Sequence, residues 1–149
     1  MKKITISMLI IIIGACIKED VNKNLDLNST FSGKVTGKLD PYYFDGTSTW
    51  VITHQDSIIT VEIDYLNVSA NGPGVPKPVT DFEKQIKLFR KYKAKIINDT
   101  TFVGGFTDIP ANSYVNGQIS KDGTKITCAT TGNDPTVNYV RFSYDLTRK

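Results

Sequence analysis

The chain is poor in the residues that carry chemistry. His54 is the single histidine, and Cys16 and Cys128 are the only cysteines, too few for a metal site of the usual His and Cys ligand set. Charge of one sign is scarce as well: the formal net charge is +3 over 149 residues, whereas a nucleic-acid binder carries a strongly basic footprint. Gly72-Pro73-Gly74 and Gly104-Gly105 lack the lysine or the strand-to-helix setting of a phosphate-cradling loop, and no serine nucleophile elbow occurs. Glu62 and Asp64 share a strand face, but it is the polar one and holds no third partner. A hydrolase would need carboxylates converging from separate strands. The expectation is a protein without catalysis, cofactor, metal or nucleic-acid partner. No apolar run reaches the about 20 residues that a spanning helix needs.

What is present begins at the N-terminus. Lys2 and Lys3 precede the apolar run Ile4 to Ile13, and Gly14-Ala15 supplies small residues, the pattern of a secretory signal peptide over 1–15. Ile13-Gly14-Ala15-Cys16 resembles the lipobox of bacterial lipoproteins. That resemblance implies a diacylglycerol thioether on Cys16, cleavage before it, and acylation, for instance with palmitate, of the new amino group. Each buried methylene contributes about 0.8 kcal/mol, and two or more chains hold a protein on a membrane. With Cys16 so occupied, Cys128 has no disulfide partner. Removal of Lys2 and Lys3 leaves the mature chain close to neutral. Lys18-Glu19-Asp20 resembles the export signal of Bacteroidota surface lipoproteins, which implies an outer-membrane location with display at the cell surface. Lys18 to Ser29 is polar and lacks aromatics, and 16–29 reads as a flexible tether.

From Thr30 onward the period is two. Phe31, Gly33, Val35, Gly37 and Leu39 alternate with polar neighbours, as do Ile59 to Tyr65 and Val140 to Leu146. Further strands are predicted at Thr47–His54, Lys91–Ile97, Thr101–Thr107, Ser113–Ser120 and Lys125–Thr131. Turn residues separate them, Asp122-Gly123 being the clearest hairpin signal, and Gly132-Asn133-Asp134-Pro135 is taken as a turn. About eight antiparallel strands over 30–149 predict an all-β domain, an up-and-down barrel, with a sandwich as the alternative. Gly33 and Gly37 would point inward and allow the bending that closure demands. An early strand carrying Gly33 makes the domain similar to the lipocalin-like or calycin-type barrels, although Gly33-Lys34-Val35 replaces their glycine-any-tryptophan signature and Trp50 lies one strand later. One segment breaks the pattern: Thr80-Asp81-Phe82-Glu83 has the form of a capping box, and Phe82, Ile86 and Phe89 an apolar stripe. A short helix from Asp81 to about Leu88 is expected, covering one barrel end.

Candidate binding residues follow. Tyr42, Tyr43 and Phe44 lie between the turn signals Asp40-Pro41 and Asp45-Gly46, so they are read as loop aromatics offering flat faces to a ligand. Trp50, in phase with Ile52, would be a wall of any cavity. Lys91, Lys93 and Lys95 would share an outer face and form a ridge for anionic glycan, lipopolysaccharide or head groups. Cys128, in phase with Ile126 and Thr130, reads as a buried small hydrophobe, and His54 as a rim residue. Asp56-Ser57-Ile58 and Asp99-Thr100-Thr101 resemble the Bacteroidota O-glycosylation sequon, which would place sugars on Ser57 and Thr100. The function expected is a lipid-anchored barrel that binds a small hydrophobic or glycan ligand in a cavity reached past Tyr42 to Phe44 and the Pro78 loop. The alternative is an accessory or inhibitor protein of an outer-membrane complex, with a filled interior.

Overall fold

The computed structural model describes residues 25–74, 79–80, 82, 86, 89–107, 113–134 and 138–149. The predicted signal peptide, Cys16 and the Lys18-Glu19-Asp20 signal lie outside the described residues. Eight antiparallel strands follow one another around a closed barrel: β1 (Ser29–Leu39), β2 (Tyr42–Gln55), β3 (Ile58–Asn71), β4 (Lys91–Asn98), β5 (Thr101–Phe106), β6 (Ser113–Ile119), β7 (Lys125–Asp134) and β8 (Asn138–Arg148). Each strand pairs with its sequence neighbour, and β8 returns to β1 with Phe31 opposite Arg148 and Leu39 opposite Val140. The barrel prevails over the sandwich because this last ladder leaves no free edge.

The period-two pattern is the cause. Phe31, Val35, Trp50, Ile52, Val61, Ile63, Ile126, Phe142 and Leu146 are buried in one continuous core, while Lys34, Glu62, Asp64, Lys93, Arg141 and Asp145 face out. Charges on the outside and apolar side chains within are the reverse of a barrel whose wall meets lipid tails. Gly33 and Gly37 leave no room for a side chain: a Cβ on Gly33 would run into the Asp145 carbonyl, and one on Gly37 into the Phe44 ring.

Three expectations need correction. Tyr42, Tyr43 and Phe44 do not form a loop but open β2, because Asp40-Pro41 alone, with a cis peptide, completes the turn and Leu39 already pairs with Tyr42. Gly132, Asn133 and Asp134 are not a turn but continue β7, paired with Val140, Tyr139 and Asn138. Leu25 to Asn28, assigned by composition to the tether, include a residue of the core: Leu27 is fully buried. Asn28 exchanges hydrogen bonds with the His54 backbone, and Arg148 donates to the Asp26 carbonyl. The expected helix from Asp81 to about Leu88 falls largely outside the described residues, and no α-helix occurs among the described ones.

The two barrel ends differ in construction. At the end where β1 begins, tight turns join β2 to β3, β4 to β5 and β6 to β7. The last of these is organised by Asp122, whose carboxylate accepts from Ser120, the Thr124 backbone and the Thr124 hydroxyl, while Gly123 takes a φ of 69°. At the other end β3, with 14 residues, outruns β4, with 8. Described residues of the connection between them lie at the gap, which forms the barrel mouth: Val79 pairs with Ala70 through hydrogen bonds of 2.8 and 2.9 Å, and Phe82, Ile86 and Phe89 are fully buried.

Candidate functional site

Aromatic rings run without a break from that mouth to the middle of the barrel. Phe82 meets Phe44 at 5.6 Å between centroids, Phe44 meets Phe142 at 5.3 Å, and Phe142 meets Tyr144 at 5.9 Å. Tyr144 meets Trp50 at 4.8 Å and Trp50 meets Tyr92 at 5.3 Å, both edge to face, the arrangement the ring quadrupoles favour. Of the four candidate ligand-binding aromatics, Tyr42, Phe44 and Trp50 therefore belong to one interior system. Tyr42 packs on Phe82 at 5.7 Å. Tyr43 points outward, 59% exposed, beneath the Lys38 ammonium.

Around Trp50 the interior turns polar. Ser48 stands opposite Tyr65 across the β2–β3 ladder, Cys128 opposite Tyr144 and Thr130 opposite Phe142 across β7–β8, and Tyr92 opposite Val61 across β3–β4. The Tyr65 hydroxyl donates to the Phe89 carbonyl at 2.7 Å and so accepts from Tyr144 at 2.8 Å, tying the mouth segment to this waist. Four other groups find no partner among the described residues: Ser48 Oγ, Trp50 Nε1, Tyr92 OH and Thr130 Oγ1 are buried and unbonded there. Burying a polar group without a hydrogen bond costs about 1–3 kcal/mol, so four in one apolar interior call for a reason. All four can donate, and none carries charge at neutral pH.

Burial holds the waist neutral. Loss of water pushes the hydroxyls of Tyr65, Tyr92 and Tyr144 above the ordinary tyrosine range and the Cys128 thiol above that of a free cysteine. Cys128 is thus a thiol rather than a nucleophilic thiolate. Among the described residues no three His, Cys, Asp or Glu side chains converge as metal ligands. Glu62 and Asp64 lie outside and are taken up by Lys91 at 2.9 Å and Arg90 at 3.1 Å.

The remaining candidates are scattered over the outer wall. Lys91, Lys93 and Lys95 do project from one face of β4. Ser57 lies in the β2–β3 turn and Thr100 in the β4–β5 turn, both half-buried, with the Thr100 hydroxyl donating to Asn98. His54 Nε2 is 2.8 Å from the Asp56 carbonyl at the rim. A groove of about 390 Å³ crosses β6, β7 and β8, lined among others by Asn116, Gln118, Thr127, Ala129 and Ser143. Its floor follows from the register: Asn116, Ala129 and Ser143 stand side by side, and the alanine methyl is short.

Sequence reading missed the polar waist as a unit. Its signal was a polar residue in an apolar phase: Ser48 shares the phase of Trp50 and Ile52, as Thr130 does that of Ile126. Compared with family models, curated proteins and solved structures, the chain matches none. The fold itself defines the class: a closed eight-stranded antiparallel barrel of up-and-down order with a covered mouth.

Proposed function

We propose that the protein is a lipid-anchored envelope lipoprotein of the outer membrane, displayed at the cell surface, whose lipocalin-like barrel binds a small ligand and performs no catalysis. The anchor reading rests on Ile13-Gly14-Ala15-Cys16. Incorporation of labelled palmitate into the wild-type chain, and its loss in Cys16→Ser, tests it; an unlabelled wild-type product refutes it.

One observation carries the binding reading: the orphaned polar groups of Ser48, Trp50, Tyr92 and Thr130 within the ring-lined interior. They suit an uncharged, mainly apolar molecule with hydrogen-bond acceptors, for which rings supply contact area and hydroxyls fix orientation. Thr130→Val is the decisive change. It removes an orphaned hydroxyl at nearly constant volume, so the empty protein should gain about 1 kcal/mol in urea unfolding. The protein purified from its own membranes should carry less bound ligand in native mass spectrometry. A wild-type protein whose mass equals the bare lipoprotein, and which no apolar compound stabilises, speaks against binding.

A second reading is an accessory or inhibitor subunit of an outer-membrane complex. The ring contacts across the interior, from 4.8 to 6.4 Å between centroids, favour it, since eight strands enclose a space that side chains can fill. Co-purification of a membrane protein with a ligand-free barrel would support it.

A further inference from the structure

The outer wall carries one feature that neither the anchor nor the interior uses. Along β4 the outward positions are Lys91, Lys93, Lys95 and Ile97. Lys91 is paired with Glu62, but among the described residues no carboxylate lies within ion-pair distance of Lys93 or Lys95. Their register partners are Thr60 and Ile58 on β3 and Gly105 and Val103 on β5, none of them acidic. Ile97 and Ile58 are 46% and 42% exposed, and Ile58 sits directly opposite Lys95. The row therefore runs from a neutralised lysine through two free ones to an apolar tip.

The direction of that row matters. β4 ends at Asn98, on the end of the barrel where Asn28 holds His54 and Arg148 holds Asp26. That is the end at which the chain from Cys16 joins the domain, and only the residues between Cys16 and Leu25 separate an acylated cysteine from the barrel. At full extension each residue spans at most about 3.6 Å, so the anchor keeps this end close to the bilayer. Among the described residues the acids there, Asp26, Asp56, Asp99 and Asp122, are matched in number by Lys121, Lys125, Arg148 and Lys149, leaving Lys93 and Lys95 as the surplus.

We infer that the flank formed by Lys93, Lys95, Ile58 and Ile97 is a second membrane contact, which lays the β3–β5 side of the barrel against a lipid surface rich in anionic head groups. The isoleucines meet the interface, and the lysine stems lie along it with their ammonium groups at the phosphates. The lipid chains supply attachment, and this flank supplies orientation. The inference rests on the lipid-anchor reading for its geometry, though not for its chemistry.

The test uses the mature lipidated protein in two kinds of vesicle, phosphatidylcholine alone and phosphatidylcholine mixed with phosphatidylglycerol. Lysine acetylation is followed residue by residue by mass spectrometry, with Lys34 on β1 as internal control. Lys93 and Lys95 should react about fivefold more slowly on the mixed vesicles, the effect of one lysine held at an anionic surface. High salt should abolish the difference, and Lys34 should react alike on both. Equal rates for Lys93 and Lys95 on the two surfaces, or equal protection of Lys34, overturn the docking face and leave the anchor standing. A chain that fails to partition into phosphatidylcholine but binds the mixed vesicles through Lys93 and Lys95 removes the anchor and leaves the docking face.

Discussion

The two ends of the barrel solve the same problem by different means. Where β1 begins, short turns bring the strands together and Leu27 fills the opening from the preceding chain. At the far end the strands are of unequal length, and the described residues of the long connection engage the barrel through the Val79–Ala70 pair and the buried Phe82, Ile86 and Phe89. The first closure is part of the strand ladders and should open only when the barrel unfolds. Among the described residues the second is attached through the two Val79–Ala70 hydrogen bonds, the Tyr65 hydrogen bond to Phe89 and a few buried side chains rather than a full ladder, so it can loosen while the ladders stay intact.

The sharpest test of that contrast is Phe142, the ring that meets Phe44, Tyr65, Phe89, Phe106 and Tyr144 and so joins the mouth to the waist. Phe142→Ala should cost about 3–5 kcal/mol in urea unfolding; a loss near zero would mean that the rings do not form one core. Next come Leu27→Ala and Phe82→Ala, both truncations of fully buried side chains. Leu27→Ala should lower global stability by about 2–5 kcal/mol and accelerate amide exchange throughout the ladders. Phe82→Ala should act locally, with faster exchange at the Ala70 and Val79 amides and less effect on β7 and β8. If the two variants give the same exchange pattern, the ends are not distinct.

Alkaline pH probes the waist alone. Tyr65, Tyr92 and Tyr144 have folded-state pKa values raised by burial, so the stability they contribute is complete below pH 10 and is lost as pH rises beyond it. Absorbance at the tyrosinate band should show these three ionising only with unfolding. The smallest effect concerns the β6–β7 turn. Hydrogen bonds from Ser120 and then Thr124 hold the Asp122 carboxyl down at about 2. Its contribution is therefore present above about pH 4 and lost as pH falls toward 2, and Asp122→Asn should flatten that part of the melting-temperature profile.

Much of the fold was legible because it depends on alternation. The inward sets Phe31 to Leu39, Ile59 to Tyr65 and Val140 to Leu146 were readable from period two alone, and enough such strands with short turns imply closure. Strand limits were less legible, since Asp45-Gly46 and Gly132-Asn133-Asp134 carry turn residues inside β2 and β7. At the first of these the ladder shifts register between Asp45 and Thr47, and a bulge tolerates glycine as readily as a turn does. The waist escaped for a different reason. Ser48, Tyr92 and Thr130 lie on three strands far apart in sequence, and their encounter is fixed by register across the barrel, which one-dimensional alternation does not encode.

The ladder between β1 and β8 has a bearing on biogenesis. A polypeptide emerging N-terminus first holds both margins of its growing sheet unpaired until the final segment arrives, so nothing short of the whole domain can lock. On the export route proposed above, such a chain would stay threadable through a translocation pore and become rigid only beyond it, at the cost of two exposed, adhesive margins in the interval.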